Sequence, residues 1–316
     1  MARQSAASRT QDALHTLNSL APVAPRADQL GVLGTALTDR HFLVVARAAT
    51  LGGERLLHEL IPALLSAYGR FLQDPLKRDP GCAAKQAIAR ALVQLECREL
   101  AFWRAGIRYR QLEPVWGGRA DTAIDLRCSC AMGLAASGEL RAVAELTGLL
   151  ADPQTPVRVG AARAISCGNP HEAEAVLRLK VQLGDGEPEV LGECFAALLV
   201  IAPEPSLPFV AGYLLSSDAA VAEYAALALG ESRRPEALAL LRAAWVDTVG
   251  SAGRGALIRA AALHRSEAAF AWLLDIIATG SAAHAQAAAD ALAVYERNSR
   301  LIEQVSAAKA RRTVLD

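Results

Sequence analysis

Between Phe102 and Arg119 the sequence reads FWRAGIRYRQLEPVWGGR, and the residue types best suited to recognition chemistry crowd into it. Arg104, Arg108, Arg110 and Arg119 supply guanidinium groups, the planar forks that match carboxylates and phosphates in bidentate geometry. Phe102, Trp103, Tyr109 and Trp116 supply flat apolar faces of the kind that anchor interfaces. Glu113 is the single acid. Gly106, Pro114 and the pair Gly117-Gly118 interrupt any one helix through the stretch. Trp116, set between Pro114-Val115 and the two glycines, is held by its backbone, either pressed into the protein or presented from it. In an extended segment Arg108 and Arg110 share one side and Tyr109 takes the other. The stretch reads as an ordered insertion, with Arg104, Arg108, Arg110, Trp116 and Arg119 as candidate partner-binding residues.

Catalytic constellations are not evident elsewhere. The histidines His15, His41, His58, His171, His264 and His284 are scattered, without HxH or HxxxH spacing. Cys82, Cys97, Cys128, Cys130, Cys167 and Cys194 contain no CxxC, and Cys128-Ser-Cys130 is too short for a zinc knuckle. No GxGxxG, P-loop or GxSxG is present. The reading is a chain with no catalytic residue, no metal site and no cofactor.

The rest of the chain supplies a scaffold. Hydrophobic residues make up 53% but aromatics only 5%, so alanine dominates the apolar set, which favours helices packed closely over sheets. A repeat runs through the second half: Leu149-Leu150 and Asp152 lead to Pro156-Val157-Arg158 and Ala161-Ala162; Asp185 leads to Pro188 and Val190; Asp218 leads to Val221 and Ala225-Ala226. Each unit ends a first helix in apolar residues, turns at an acid, and opens a second helix at or near proline, where the missing N–H costs little. One such hairpin cannot bury its apolar stripe alone, so hairpins stack. Earlier in the chain, helices are expected at 10–20, 28–37, 54–72 and 82–96, and a last one over 299–310 before the basic tail Lys309, Arg311 and Arg312. The alanine and leucine periodicity predicts no sheet. Ala162, Ala197 and Ala226 are expected at tight helix contacts.

The pattern Asp-x-x-x-x-Val-Arg followed by Ala-Ala-x-Ala resembles the HEAT-repeat family, in the short bacterial form also seen in phycobilisome-lyase-like proteins. It covers 121–295 well and 28–96 more loosely; only Val157-Arg158 keeps the Val-Arg pair. The resemblance implies an all-α protein, a right-handed α-solenoid of stacked HEAT-like hairpins forming an α-α superhelix. The expected organisation is a disordered segment at 1–9 and one solenoid domain at 10–316. Within it lie irregular repeats at 10–96, the insertion at 97–120, regular repeats at 121–296, and a capping helix with basic tail at 297–316.

Formal charge is zero, against the basic excess of a protein living on phosphate contacts. Between Lys180 and Arg233 lies no cation, while Asp185, Glu187, Glu189, Glu193, Glu204, Asp218, Glu223 and Glu231 are all acidic. These acids stabilise helix N-termini or form a surface for a basic partner, and Glu189, Glu193 and Glu223 join the candidate partner-binding residues. No apolar run reaches the length of a membrane span, the first residues lack a signal-peptide core, and a cytoplasmic location is expected. The functional expectation is a noncatalytic interaction scaffold for a protein partner, with nucleic acid not expected. A bilin lyase or lyase accessory is the alternative implied by the repeat resemblance. A HEAT-like DNA glycosylase is the second, and the acidic middle opposes it.

Overall fold

The computed structural model describes residues 6–248 and 250–313. The described residues hold nineteen α-helices, three short 3-10 helices and one two-stranded sheet, in two compact units, Met1–Asn169 and Pro170–Asp316. In the first unit the helices are α1 (Ala6–Ser19), α2 (Arg26–Leu37), α3 (Phe42–Glu54), α4 (Ile61–Phe71), α5 (Pro75–Arg78), α6 (Ala83–Gln94), α7 (Leu100–Gly106), α8 (Ile124–Ala136), α9 (Ala142–Leu146) and α10 (Thr155–Ile165). Strands β1 (Leu112–Val115) and β2 (Gly118–Asp121) lie between α7 and α8. The second unit holds α11 (Pro170–Leu183), α12 (Pro188–Ile201), α13 (Pro203–Ala211), α14 (Ala219–Ser232), α15 (Pro235–Asp247), α16 (Ser251–His264), α17 (Glu267–Thr279), α18 (Ala282–Ala293) and α19 (Ser299–Thr313).

Each unit is an α-solenoid stack. In the first, α3, α6, α8 and α10 pack one on the next; in the second, α12, α14, α16 and α18 do the same. The acids at the 33-residue spacing share one job. A carboxylate oxygen of Asp152, Asp185 and Asp218 accepts from the backbone N–H two residues on, at Gln154, Glu187 and Ala220, each 2.9 Å away. That bond fixes the turn that aims the second helix of the hairpin. Pro156 and Pro188 stand in the first turn of the helices after Asp152 and Asp185, whereas α14 after Asp218 opens at Ala219 without proline.

Small residues let the stacked backbones touch. Ala162, Ala197 and Ala226 are all buried. Two glycines go further: a Cβ on Gly53 of α3 would lie 2.8 Å from the Ala91 Cα of α6, and one on Gly230 of α14 would lie 2.2 Å from the Ala260 carbonyl oxygen of α16. The helix expected at 54–72 is shorter, Ile61–Phe71, because Gly52-Gly53 forms the tightly packed last turn of α3 and the chain breaks after it. Leu56 takes a left-handed φ of 51° and a single 3-10 turn at His58–Leu60 leads into Pro62 at the start of α4.

Two other expectations need correction. A sheet does form: β1 and β2 pair antiparallel, in the register Leu112↔Asp121, Glu113↔Ala120, Pro114↔Arg119 and Val115↔Gly118. The two-residue loop Trp116-Gly117 closes it, and Gly117, at φ 86°, supplies the left-handed turn residue that a side chain would strain. At the chain ends, α1 begins at Ala6, while 1–5 lie outside the described residues, and Lys309, Arg311 and Arg312 belong to α19 rather than to a tail.

Candidate functional site

The insertion lies wholly in the first unit and divides into a buried base and an exposed tip. Its first part is core. Trp103 of α7 is completely buried, donates from its indole to the Cys97 carbonyl at 3.0 Å, and meets Phe102 edge-on. Its ring lies where Gly133 of α8 has no side chain; a Cβ there would come within 2.6 Å of it.

Beneath the hairpin lie two clusters of buried charge. In the first, Asp79 and Lys85 are both fully buried and 2.7 Å apart. Asp79 also accepts from the backbone N–H of Ala84 and Lys85 at the start of α6, while the Lys85 ammonium donates to the Phe71 carbonyl. Gln111, just before β1, donates to the Asp79 carbonyl at 2.8 Å and to Glu113 at 2.7 Å, and accepts from the Tyr109 hydroxyl. Glu113 then accepts from Gly81 N and Thr122 Oγ1. Burial pushes the Glu113 carboxyl up, but the hydrogen bonds from Gln111, Thr122 and Gly81 outweigh it and hold it below the ordinary range. Burial raises the Tyr109 phenol to about 12.

The second cluster centres on Arg127 of α8, which has no exposed surface. Its Nη1 lies 2.8 Å from Asp121 Oδ2 at the end of β2 and donates to the Tyr109 carbonyl at 3.0 Å. Its Nε lies 3.2 Å from Asp152 Oδ2, near enough for charge but not aligned for a hydrogen bond. Arg110 approaches from the outside, 2.8 Å from Asp152 and 3.5 Å from Asp121. Two cations thus face two carboxylates; Arg127 and both carboxylates are shut off from water, while Arg110 is 43% exposed. Burial pushes both carboxyls up. Hydrogen bonds from Ala123 N, Gln111 N and Arg127 to Asp121, and from Arg110 and Gln154 N to Asp152, more than offset it, and both sit below the ordinary value.

The tip faces the other way. Trp116 is fully exposed (103%), Val115 is half exposed, and Leu112 is 46% exposed. Arg119 on β2 and Arg108 after α7 are exposed and form no ion pair among the described residues. Arg104 reaches back instead, in a forked contact with Glu145 at 2.7–3.0 Å and a second with Glu139 at 3.3 Å. The arginines of the insertion are therefore split: Arg104 and Arg110 are engaged within the fold, while Arg108 and Arg119 face solvent. Arg108 and Arg110 are exposed and Tyr109 between them is half-buried, but Arg108 lies in the turn after α7 rather than in an extended segment.

The three acids of the second unit are not equivalent. Glu189 is exposed at the start of α12 and Glu193 is half-buried one turn on, while Glu223 on α14 is paired with Arg259 of α16 at 2.6 Å. Two neighbours from the same acidic run are also paired, Asp185 with Lys180 at 2.7 Å and Glu204 with Arg234 at 3.4 Å.

The residues that hold the hairpin, Lys85 and Arg127, do not stand out by motif, yet both carry a readable signal. Lys85 sits with Ile88, Ala89 and Leu92 at spacings of three, four and seven, and Arg127 sits four after Ala123 and three before Cys130, so each charge falls on a core stripe. Among the described residues no group of His, Cys, Asp and Glu could hold a metal ion, and no helix is long and apolar enough to cross a membrane.

No family model and no curated protein matches the chain. Solved structures similar to it include human deoxyhypusine hydroxylase in complex with glycerol, 21% identical over 83% of this chain and 91% of that one, with a TM-score of 0.32. The complex of CpcE and CpcF of phycocyanin lyase from Nostoc sp. is 16% identical over 92% of this chain and 95% of that one, with a TM-score of 0.38. An engineered protein is 17% identical over 97% of this chain and 89% of that one, with a TM-score of 0.39.

Proposed function

We propose that this chain is a noncatalytic, protein-binding α-solenoid whose contact element is the β1–β2 hairpin. The observation that carries the reading is the full exposure of Trp116 at the tip of an element whose base is locked by buried charge. A tryptophan left in water forgoes the gain of about 2–3 kcal/mol from burying a large apolar side chain. A partner that covers it recovers that gain with little loss of backbone freedom, because the hairpin is already ordered. Arg119 and Arg108, unpaired and exposed, add polar contacts of the type enriched at interface centres. The stacked hairpins serve as a rigid mount.

The test is affinity capture from an extract of the source cells, with the wild-type chain and with Trp116→Ala as baits, read by mass spectrometry. Proteins captured by the wild type and lost with the variant support the reading. An identical set of captured proteins for both baits would overturn it.

A further inference from the structure

The accessible surface of the hairpin is one-sided in charge. Both of its acids point inward: Glu113 is bonded to Gly81, Gln111 and Thr122, and the Asp121 side chain is 4% exposed beneath Arg127. The exposed acid that follows, Asp125, is paired with Arg90. What faces solvent is Arg119, with Arg108 nearby in sequence, together with Leu112, Val115 and Trp116.

The two strand edges also differ. A two-residue loop makes Val115 and Gly118 a hydrogen-bonded pair, and alternation makes Glu113 and Ala120 the next. Gln111 and Thr122 continue the series, with Thr122 N donating to Gln111 O at 2.9 Å. The backbone groups of Leu112 and Pro114, and of Arg119 and Asp121, therefore point away from the hairpin. Proline has no N–H, so the outer edge of β1 lacks a donor in its middle. The outer edge of β2 keeps both donor and acceptor at Arg119, which is exposed.

We propose that the outer edge of β2 takes an extended acidic segment of a partner protein as a third strand. Backbone hydrogen bonds to Arg119 set its register. Carboxylates on alternate residues meet the Arg119 side chain, and the apolar residues between them lie on the opposite face, the side of Val115, and against the Trp116 ring. The inference rests on the protein-binding reading above and names the partner's chemistry. Nucleic acid suits the surface less well: two exposed arginines neutralise few phosphates, and Trp116 is the one ring on the hairpin on which a base could stack.

The test uses fluorescein-labelled eight-residue peptides that alternate Glu with Val, Leu, Phe or Tyr, titrated with the full chain and followed by anisotropy. Matched peptides with Lys in place of Glu, and a single-stranded DNA oligonucleotide, are run beside them. At least one acidic peptide is expected to bind, and the lysine series not to. Arg119→Glu, which keeps the backbone donor, and Arg119→Pro, which removes it without touching the pairs inside the hairpin, should each weaken binding by about tenfold or more, with the melting midpoint unchanged. Failure of every acidic peptide, retention of full affinity by both Arg119 variants, or tighter binding of the oligonucleotide would overturn the proposal. If the acidic peptides fail while capture of a protein still depends on Trp116, the partner chemistry falls and the protein-binding reading stands.

Discussion

Arg127 lies fully buried between two carboxylates that are 31 residues apart in the chain, 2.8 Å from Asp121 and 3.2 Å from Asp152. One belongs to the end of the hairpin and the other to the turn before α10. A single side chain therefore ties the insertion to the repeat below it. Removing it leaves two buried carboxylates sharing Arg110 alone, which is costly, whereas the intact cluster need add little over a well-packed apolar replacement.

Arg127→Met is expected to destabilise the chain by about 3–5 kcal/mol, the range for breaking a buried pair by deleting one partner. Arg110→Met should cost about 1 kcal/mol or less, since Arg110 is 43% exposed and screened by solvent. Urea titration of both variants checks the order. Equal midpoints would place no special weight on the buried arginine.

Acid should act on the same cluster. Asp121 and Asp152 both have folded-state values below the ordinary carboxylate value of about 3.9. Their contribution is fully present above that value and is lost as pH falls through the lowered one. Unfolding midpoints should thus fall below about pH 4, and Asp152→Asn should be less stable at neutral pH yet flatter in its acid dependence. A parallel pH profile for the variant would count against the cluster as a source of acid sensitivity.

The two insertion tryptophans should behave oppositely. Trp103→Ala removes a fully buried ring and should cost about 3–5 kcal/mol. Trp116→Ala should leave the thermal midpoint where it was, because the ring touches mainly water. Thermal unfolding of both variants decides this, and a lowered midpoint for Trp116→Ala would mean that the tip packs on the protein.

At the helix joints, Gly230→Ala should cost about 1–3 kcal/mol, because its Cβ would meet the Ala260 carbonyl and backbone cannot step aside as a side chain can. Ala226→Leu should fall in the same range. A wild-type midpoint for Gly230→Ala would show that α14 and α16 separate easily.

The regular repeats were legible because one turn chemistry recurs: Asp152, Asp185 and Asp218 make the same backbone bond, and the residues that make it are written into the chain at a fixed period. The insertion was legible as a break, and its glycine pair as a place for a turn, which Gly117 makes. Its strands were not, since four-residue strands, one holding Pro114, carry too little alternation to register. Which arginines remain open was hidden for a different reason. Arg110 and Arg119 look alike in sequence, and only the return of the chain at Asp152 separates them. The end of α3 was not legible because glycine can end a helix or let two helices touch, and the use of Gly53 depends on what lies across from it, here Ala91.

The shielding of Arg127 also sets how the hairpin answers to salt. Mobile ions screen charges that water reaches, over about 8 Å at physiological ionic strength, and act far less on pairs from which water is excluded. The base of the hairpin is held by pairs of the second kind, and Arg119 at its rim is of the first. Added electrolyte therefore screens the exposed rim while the hairpin keeps its place, so the binding of the proposed acidic segment is expected to weaken with salt in a chain that stays folded.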